Sequence, residues 1–152
     1  MNTTFAQLRG WGGACKPRYK TLAKTLGGIR KYGKDTPIPL STILESNGME
    51  DVWWVLDWMK LTPEQERDFR LLACDFAEIA LPIFEDALPS DKGPRECIDV
   101  ARRYAYGQAT MDELLAAYSA ARSAASSAAR SAMKKTQTEM LMKVLLKYEV
   151  AA

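Results

Sequence analysis

The chain has 152 residues, of which 47% are hydrophobic and 26% charged, with a formal net charge of +2 and no histidine. The length suits one compact domain over residues 1–152, and the composition is that of an ordinary globular protein. Without histidine, the commonest general base and the commonest metal ligand are absent. We therefore expect no catalytic residues, no metal site and no cofactor.

The first third of the chain predicts short helices separated by turns. Pro17 is expected to open a helix that continues through Leu26 and ends at Gly27-Gly28. Residues 29–40 are expected to form a loop, because their two prolines favour extended backbone at the preceding residues. Ser41 is expected to cap a short helix.

The next signals predict three helices in succession. A turn at Asn47-Gly48 precedes a helix expected from about Met49 to Lys60. Thr62-Pro63-Glu64-Gln65 has the pattern of a capping box with proline at the first helical position. Pro82 should kink or break the helix that follows. Gly93-Pro94 is expected to start another helix, which ends at Gly107.

The last 43 residues predict one long helix. Thr110-Met111-Asp112-Glu113 is a second capping box, and neither glycine nor proline interrupts the chain from there to Ala152. Alanine and serine repeat every four residues between 116 and 132, so other helices could pack closely against this segment. Sustained period-two alternation occurs nowhere. We predict an all-α fold, a compact multi-helix bundle with a long Ala/Ser-rich C-terminal helix and no sheet.

An apolar stripe follows the Ala/Ser-rich segment at helical spacing. It consists of Met140, Leu141, Val144, Leu145 and Tyr148. Such a stripe is typical of a helix face that packs into a core. The alternative is a homodimer interface formed by the same C-terminal side chains.

The helix expected at residues 49–60 carries three tryptophans beside acidic residues. On a helical wheel, Val52, Val55, Leu56 and Met59 form a core stripe, whereas the tryptophans lie roughly 100–140° from its centre. Either other helices bury both faces, or the second face binds a partner protein, since tryptophan is enriched in interface hot spots. The candidate partner-binding residues are Trp53, Trp54, Asp57 and Trp58. Trp53 is expected to remain at least partly exposed.

Charge is segregated along the chain. Residues 1–34 contain eight basic and no acidic residues, whereas residues 35–99 contain five basic and fifteen acidic residues. The blocks could neutralise each other within the fold, or they could steer a charged partner. Basic residues among aromatic ones can also hold nucleic acid. The candidate nucleic-acid contacts are Arg18, Lys20, Lys24, Arg30 and Lys31. The isoelectric point of about 8.4 lies below the values above 9 that are typical of such domains.

Several stretches together resemble a family of small all-helical immunity proteins of polymorphic toxin systems, which phages also carry. The stretches are PLSTILESNGMEDVWW, CDFAEIALPIFE, PRECIDVARRYAYGQATMDEL and the Ala-rich segment. Among them, Asn47-Gly48, Trp54, Cys74-Asp75 and Arg102 match the family pattern. The resemblance implies a non-enzymatic inhibitor that binds a protein, either a toxin or a host defence component.

Two functions of different kinds remain open from the sequence. The first is a protein-binding inhibitor of immunity or phage anti-defence type, and the alternative is a small nucleic-acid-binding module that uses the basic N-terminal segment. Three cysteines, an odd number without regular spacing, fit reduced thiols in the cytoplasm. No apolar run approaches the ~18 residues that cross a bilayer, so we expect a cytoplasmic protein without membrane contact.

Overall fold

A computed structural model describes the backbone of residues 1–12, 15–121 and 129–149, and their side chains except at 87 and 120–136. These residues are predominantly helical, which confirms the all-α prediction. The helices are α1 (Phe5–Gly10), α2 (Lys16–Thr25), α3 (Ile29–Tyr32), α4 (Leu40–Asn47), α5 (Met49–Trp58), α6 (Pro63–Ala87), α7 (Gly93–Ala105), α8 (Met111–Ala121) and α9 (Ala129–Glu149).

The chain divides into two compact units. Unit 1 comprises Met1–Leu61 and Thr138–Ala152, and unit 2 comprises Thr62–Gln137. A single domain over residues 1–152 therefore stays a prediction, since compact units of one chain do not decide whether each folds alone.

Unit 1 contains a small sheet, so the prediction of no sheet was wrong. Strand β1 (Asn2–Thr3) pairs antiparallel with β2 (Ile38–Pro39), in a register that places Asn2 opposite Pro39. Both strands have only two residues, which is too short for an alternating pattern. Their pairing joins distant parts of the chain, which local sequence signals do not reveal.

The segment expected to be a loop, residues 29–40, is more regular than predicted. It contains the short helix α3 and strand β2, and α4 already begins at Leu40. Ser41 lies inside α4 and does not cap it. Its backbone N–H and its hydroxyl donate instead to the carboxylate of Glu149, at 2.9 and 2.6 Å. The expected cap was wrong because α4 begins one residue earlier, at Leu40, so Ser41 is already within the helix, and its donors bind a carboxylate of α9.

The core of unit 1 is apolar and draws on both ends of the chain. Phe5, Ile38, Leu40, Val52 and Val55 are at most 1% exposed, and so are Leu141 and Leu145 from the C-terminal stripe. The N-terminal ammonium group also donates to the backbone carbonyl of Tyr148 at 2.9 Å. The C-terminal stripe thus packs into the core of its own chain, the first of its two predicted roles.

Unit 2 is built around three consecutive helices, with α7 packed against both α6 and α8. Thr62 and Gln65 form the predicted capping box of α6. The helix continues through Pro82 to Ala87, so of the two predicted outcomes, a kink or a break, the break was wrong and the kink stays a prediction. Contacts with α7 on both sides of Pro82 stabilise the continuous helix. Leu81 is buried with Ile98 of α7, and Glu85 accepts two hydrogen bonds from Arg95 at 2.8 and 2.6 Å.

Helix α8 begins as the sequence predicts. The backbone N–H of Thr110 donates to the Glu113 carboxylate at 2.7 Å, and the Thr110 hydroxyl accepts from the backbone N–H of Glu113 at 3.2 Å. Whether α8 and α9 form one uninterrupted helix depends on residues 122–128, outside the described residues. Most of the Ala/Ser rows lie there or among the undescribed side chains, so their close packing stays a prediction.

Candidate functional site

Helix α5 separates an aliphatic face from an aromatic one, as the helical wheel predicts. Gly48, with φ of 90°, makes the sharp turn between α4 and α5, a conformation that favours glycine. Val52, Val55 and Leu56 are buried in the core of unit 1. Met59 is only partly buried and lies one residue beyond the end of α5.

Three tryptophans form a connected cluster on the other side of α5. The ring of Trp54 lies 6.2 Å from that of Trp11, in an edge-to-face arrangement, and 6.4 Å from that of Trp58. We call Trp11, Trp54 and Trp58 the tryptophan cluster. Trp58 is 50% exposed, which is unusual for so large an apolar side chain. The cluster thus runs from a partly buried ring to one that faces solvent.

The predicted site residues are distributed unequally over this surface. Trp53 is partly buried, Asp57 is exposed, and Trp58 is the more exposed of these two tryptophans. The wheel gives directions relative to the core stripe, but it does not show which other elements cover a side chain. Trp11 was missing from the predicted partner-binding set, because nothing local to it indicates a contact with Trp54.

An open pocket of about 290 Å³ lies beside the cluster, within unit 1. Its apolar wall comes from α1, α2, α4 and α5 and consists of Leu8, Tyr19, Leu22, Ile43, Trp54 and Val55. Cys15, Arg18, Asn47, Glu50 and Asp51 complete its lining. The sequence did not predict this pocket, since its wall comes from four helices that are separate in sequence.

Arg18 fixes one edge of the pocket. Its guanidinium donates to the Asp51 carboxylate and, at 2.6 Å, to that of Glu50. These hydrogen bonds raise the pKa of Arg18 above its ordinary value, Asp51 having the largest effect. The Asn47 amide donates to the Arg18 carbonyl at 2.9 Å and to Asp51 at 2.7 Å. Helix α2 is thereby tied to α4 and α5.

The Arg18 contacts bear on the two predicted roles of the basic N-terminal segment. Arg18 pairs with acidic residues of the middle segment, as expected if the charge blocks neutralise each other within the fold. The other candidate nucleic-acid contacts, Lys20, Lys24, Arg30 and Lys31, have exposed side chains.

A second group of charged residues lies in unit 2. The guanidinium of Arg102 donates to Asp75 at 2.5 Å and to Glu78 at 2.8 and 3.2 Å. The guanidinium of Arg70 lies 4.7 Å from the centre of the Tyr104 ring, within the range of a cation–π contact. These contacts join α6 to α7 and bring together Asp75 and Arg102, two positions of the family resemblance.

Cys74 lies beside this ionic group and is 4% exposed. Burial raises the pKa of its thiol, and the opposing effect of Arg102 is smaller. A thiol with a raised pKa stays protonated near neutrality and is a poor nucleophile. Cys74 is therefore suited to packing with Leu81 and Ile98 rather than to covalent catalysis.

The described residues contain neither a candidate metal site nor a helix that could span a membrane. Among them, no three histidine, cysteine, aspartate or glutamate residues are grouped so that they could hold a metal ion. Of the helices that can be assessed there, none combines the length and the apolar character needed to cross a membrane.

Comparison with known proteins assigns the chain to a family. Residues 59–142, more than half of the chain, match the family described as "Imm-5 like putative immunity protein". The chain belongs to this immunity-protein family. No curated protein matches the chain, and no solved structure matches it.

The match to the immunity family falls mainly on unit 2. It includes α6, α7, α8 and the greater part of α9, together with Cys74, Asp75 and Arg102. The tryptophan cluster and the pocket precede residue 59 and lie outside the matched range. The family resemblance is thus confirmed, but the matched range does not include the first of its stretches, PLSTILESNGMEDVWW.

Proposed function

We propose that this immunity-family chain is a non-enzymatic inhibitor that neutralises a protein by binding it in the cytoplasm. The partner is a toxin or a host defence component. The tryptophan cluster, with Trp58 half exposed at its end, is the observation that carries the proposal. Trp53, Trp54, Asp57 and Trp58 are the proposed contact residues, to which the cluster adds Trp11.

The chemistry of this surface suits binding rather than catalysis. Exposed tryptophan contributes strongly to protein interfaces, because its large rigid ring loses little conformational entropy on burial. Asp57 and Glu50 are exposed on the same helix and would favour a basic partner. An inhibitor needs such a surface on a rigid frame, and the buried face of α5 supplies the frame.

Affinity capture from a nuclease-treated bacterial lysate tests the proposal. The wild-type chain should retain a protein partner, and Trp58→Ala should weaken its binding by more than ~1 kcal/mol. Tyr118→Ala is the matched control, since Tyr118 is 58% exposed but lies on α8. Asp57→Lys should act mainly by slowing association with a basic partner.

A growth assay then separates neutralisation from mere binding. The captured protein, expressed alone, should impair growth, and coexpression of the wild-type chain but not of Trp58→Ala should restore it. Loss of all captured protein after nuclease treatment would favour the nucleic-acid alternative. Equal capture and equal rescue by Trp58→Ala would contradict the proposed surface.

Trp53 needs binding and stability measured on the same variant, because it is only partly exposed. If its main role is partner contact, Trp53→Ala should weaken binding and leave the melting temperature nearly unchanged. If its main role is packing, truncation should cost about 3–5 kcal/mol of unfolding free energy, the usual effect for a buried aromatic side chain. The second result would remove Trp53 from the proposed surface and leave Trp58 in it.

A further inference from the structure

The pocket beside the tryptophan cluster has a definite shape and charge. At about 290 Å³ it lies at the small end of the range of roughly 300–1,000 Å³ that small-molecule sites occupy. Its volume suits one or two amino-acid side chains better than a cofactor. Leu22, Ile43 and Val55 in its wall are at most 2% exposed over the whole residue, so the wall belongs to the packed core of unit 1.

The pocket is held open by contacts that do not depend on an occupant. Arg18 ties α2 to α5, and the Asn47 amide adds a bond from α4 to the Arg18 carbonyl. A preformed pocket requires little reorganisation when a ligand enters, which favours binding. Trp54 forms part of the wall and also contacts Trp58, so the pocket is continuous with the exposed tryptophan.

The charged lining of the pocket is acidic on balance. It contains two carboxylates, those of Glu50 and Asp51, and one guanidinium, that of Arg18. The Glu50 side chain is 71% exposed, whereas that of Asp51 is 13% exposed. A carboxylate can accept about four hydrogen bonds, and most of the Glu50 side chain is exposed, so a cation of the partner can reach this carboxylate beside the contacts that it already makes.

We propose that this pocket receives one aromatic or large aliphatic side chain of the partner protein, and that Glu50 pairs with a lysine or arginine next to it. The apolar wall selects the inserted side chain, and the acidic lining selects the charge of its neighbour. The inference rests on the proposed function for the identity of the partner as a protein. It deepens that function by stating the chemistry of the segment that the partner inserts.

Two short peptides test the proposal on the full chain. The probes are N-acetyl-Phe-Arg-amide and N-acetyl-Phe-Glu-amide, titrated into protein with labelled leucine, isoleucine and valine methyl groups. The arginine peptide should shift the methyl signals of Leu8, Leu22 and Val55 in a saturable manner. It should bind roughly two- to fivefold more tightly than the glutamate peptide, the size of effect that an exposed ion pair gives.

Variants of the charged lining test the pairing. Glu50→Gln should abolish the preference for arginine while the methyl shifts remain. Glu45→Gln, which alters an exposed carboxylate outside the pocket lining, should keep the preference. A preference that survives Glu50→Gln would overturn the role of Glu50, and the absence of saturable shifts in wild type would overturn the pocket.

Chemical blocking tests the location independently of core substitutions. Cys15 lines the pocket and is exposed, whereas Cys74 is buried and Cys97 is partly buried. Alkylation with N-phenylmaleimide should abolish the peptide-induced shifts in wild type. In the Cys15→Ser protein, the shifts measured after the same treatment should equal those measured in this variant before treatment. Shifts that persist after Cys15 is alkylated would place the peptide elsewhere and overturn the proposal.

The outcomes separate this inference from the proposed function. If Trp58→Ala loses a neutralised partner but neither peptide enters the pocket, the inference fails and the proposed function stands. If the arginine peptide enters the pocket but no growth-inhibiting partner is neutralised, the proposed function fails and the pocket keeps its assigned chemistry.

Discussion

Ion pairs join helices in both units, but more of the buried apolar side chains among the described residues lie in unit 1. In unit 1, the ends of the chain meet in an apolar core in which Phe5, Val52, Leu141 and Leu145 are at most 1% exposed. In unit 2, the described contacts between α6 and α7 include paired charges, with Arg102 bound to Asp75 and Glu78 and Arg95 bound to Glu85. Apolar burial is nearly insensitive to salt and pH, whereas ion pairs depend on both.

The family match and the proposed binding surface lie in different parts of the chain. The match falls mainly on unit 2. The tryptophan cluster and the pocket lie in unit 1, before residue 59. If the proposed surface binds the partner, recognition depends on unit 1 more than on the matched segment.

The largest effect is expected in the core of unit 1. Leu145→Ala should lower the free energy of unfolding by about 2–5 kcal/mol, because the side chain is 0% exposed and its removal leaves a cavity. Leu146→Ala is the matched control, since this neighbouring leucine is 45% exposed, and it should change stability by less than about 0.5 kcal/mol. Denaturant unfolding of wild type and both variants would measure these losses of unfolding free energy. Equal losses would contradict the core assignment of α9.

A smaller, salt-dependent effect is expected in unit 2. Arg102→Ala should cost about 1–2 kcal/mol at low salt, after allowance for solvent screening of a side chain that is 31% exposed. The loss should shrink in 1 M salt, whereas the loss from Leu145→Ala should not. Arg103→Ala, next to it and exposed, should be nearly neutral. A salt-independent loss at Arg102 would mean that packing of its aliphatic stem dominates.

Local signals predicted the elements whose boundaries depend on neighbouring residues. The capping boxes at Thr62 and Thr110 are formed by side chains three residues apart, and both are present. The start of α7 at Gly93 and the turn at Gly48 were also predicted. The errors involve distant partners, such as the pairing of β1 with β2, or packing that overrides a local preference, as in the continuation of α6 past Pro82 where a break was one of the two predicted outcomes.

The candidate site could be predicted only in part for the same reason. A helical wheel separates the buried valines of α5 from its tryptophans, because both sets belong to one helix. It cannot bring Trp11 to Trp54, nor can it assemble a pocket wall from four helices. Arg102 and Asp75 were singled out by family resemblance, and their 2.5 Å contact appears only in the fold.

A third prediction concerns the N-cap of α8, whose loss should lower the free energy of unfolding by about 1 kcal/mol. Thr110→Ala removes the hydroxyl that accepts from the Glu113 backbone N–H, and loss of such a cap usually costs this much. Ser119→Ala is the control, because its exposed hydroxyl only donates back to the Leu115 carbonyl within the same helix. In thermal unfolding, Thr110→Ala should have a clearly lower melting temperature than Ser119→Ala. An equal, small effect would mean that the start of α8 contributes little to stability.

The smallest effects concern two glutamates of unit 2, Glu85 and Glu113, and are best detected by titration. The pKa of Glu85 is below the ordinary value of 4.5 because Arg95 donates hydrogen bonds to its carboxylate. The pKa of Glu113 is also lowered, chiefly by the backbone hydrogen bond from Thr110. Since both folded-state pKa values are depressed, each stabilising contribution is present above about pH 4.5 and is lost as the pH falls through the folded-state value.

A crossed pair of variants assigns these two shifts to their causes. Arg95→Gln should raise the pKa of Glu85 toward 4.5 and leave that of Glu113 depressed. Thr110→Ala should raise the pKa of Glu113, because the hydrogen bond from the Thr110 hydroxyl is one cause of its lowered value. The pKa of Glu85 should be unchanged. Carboxyl chemical shifts followed by NMR between pH 2 and pH 6 would give the pKa values of both glutamates in each variant. If either variant raised both pKa values, the two contacts would be coupled through loosening of unit 2, and its charged contacts could not be treated as independent ties between helices.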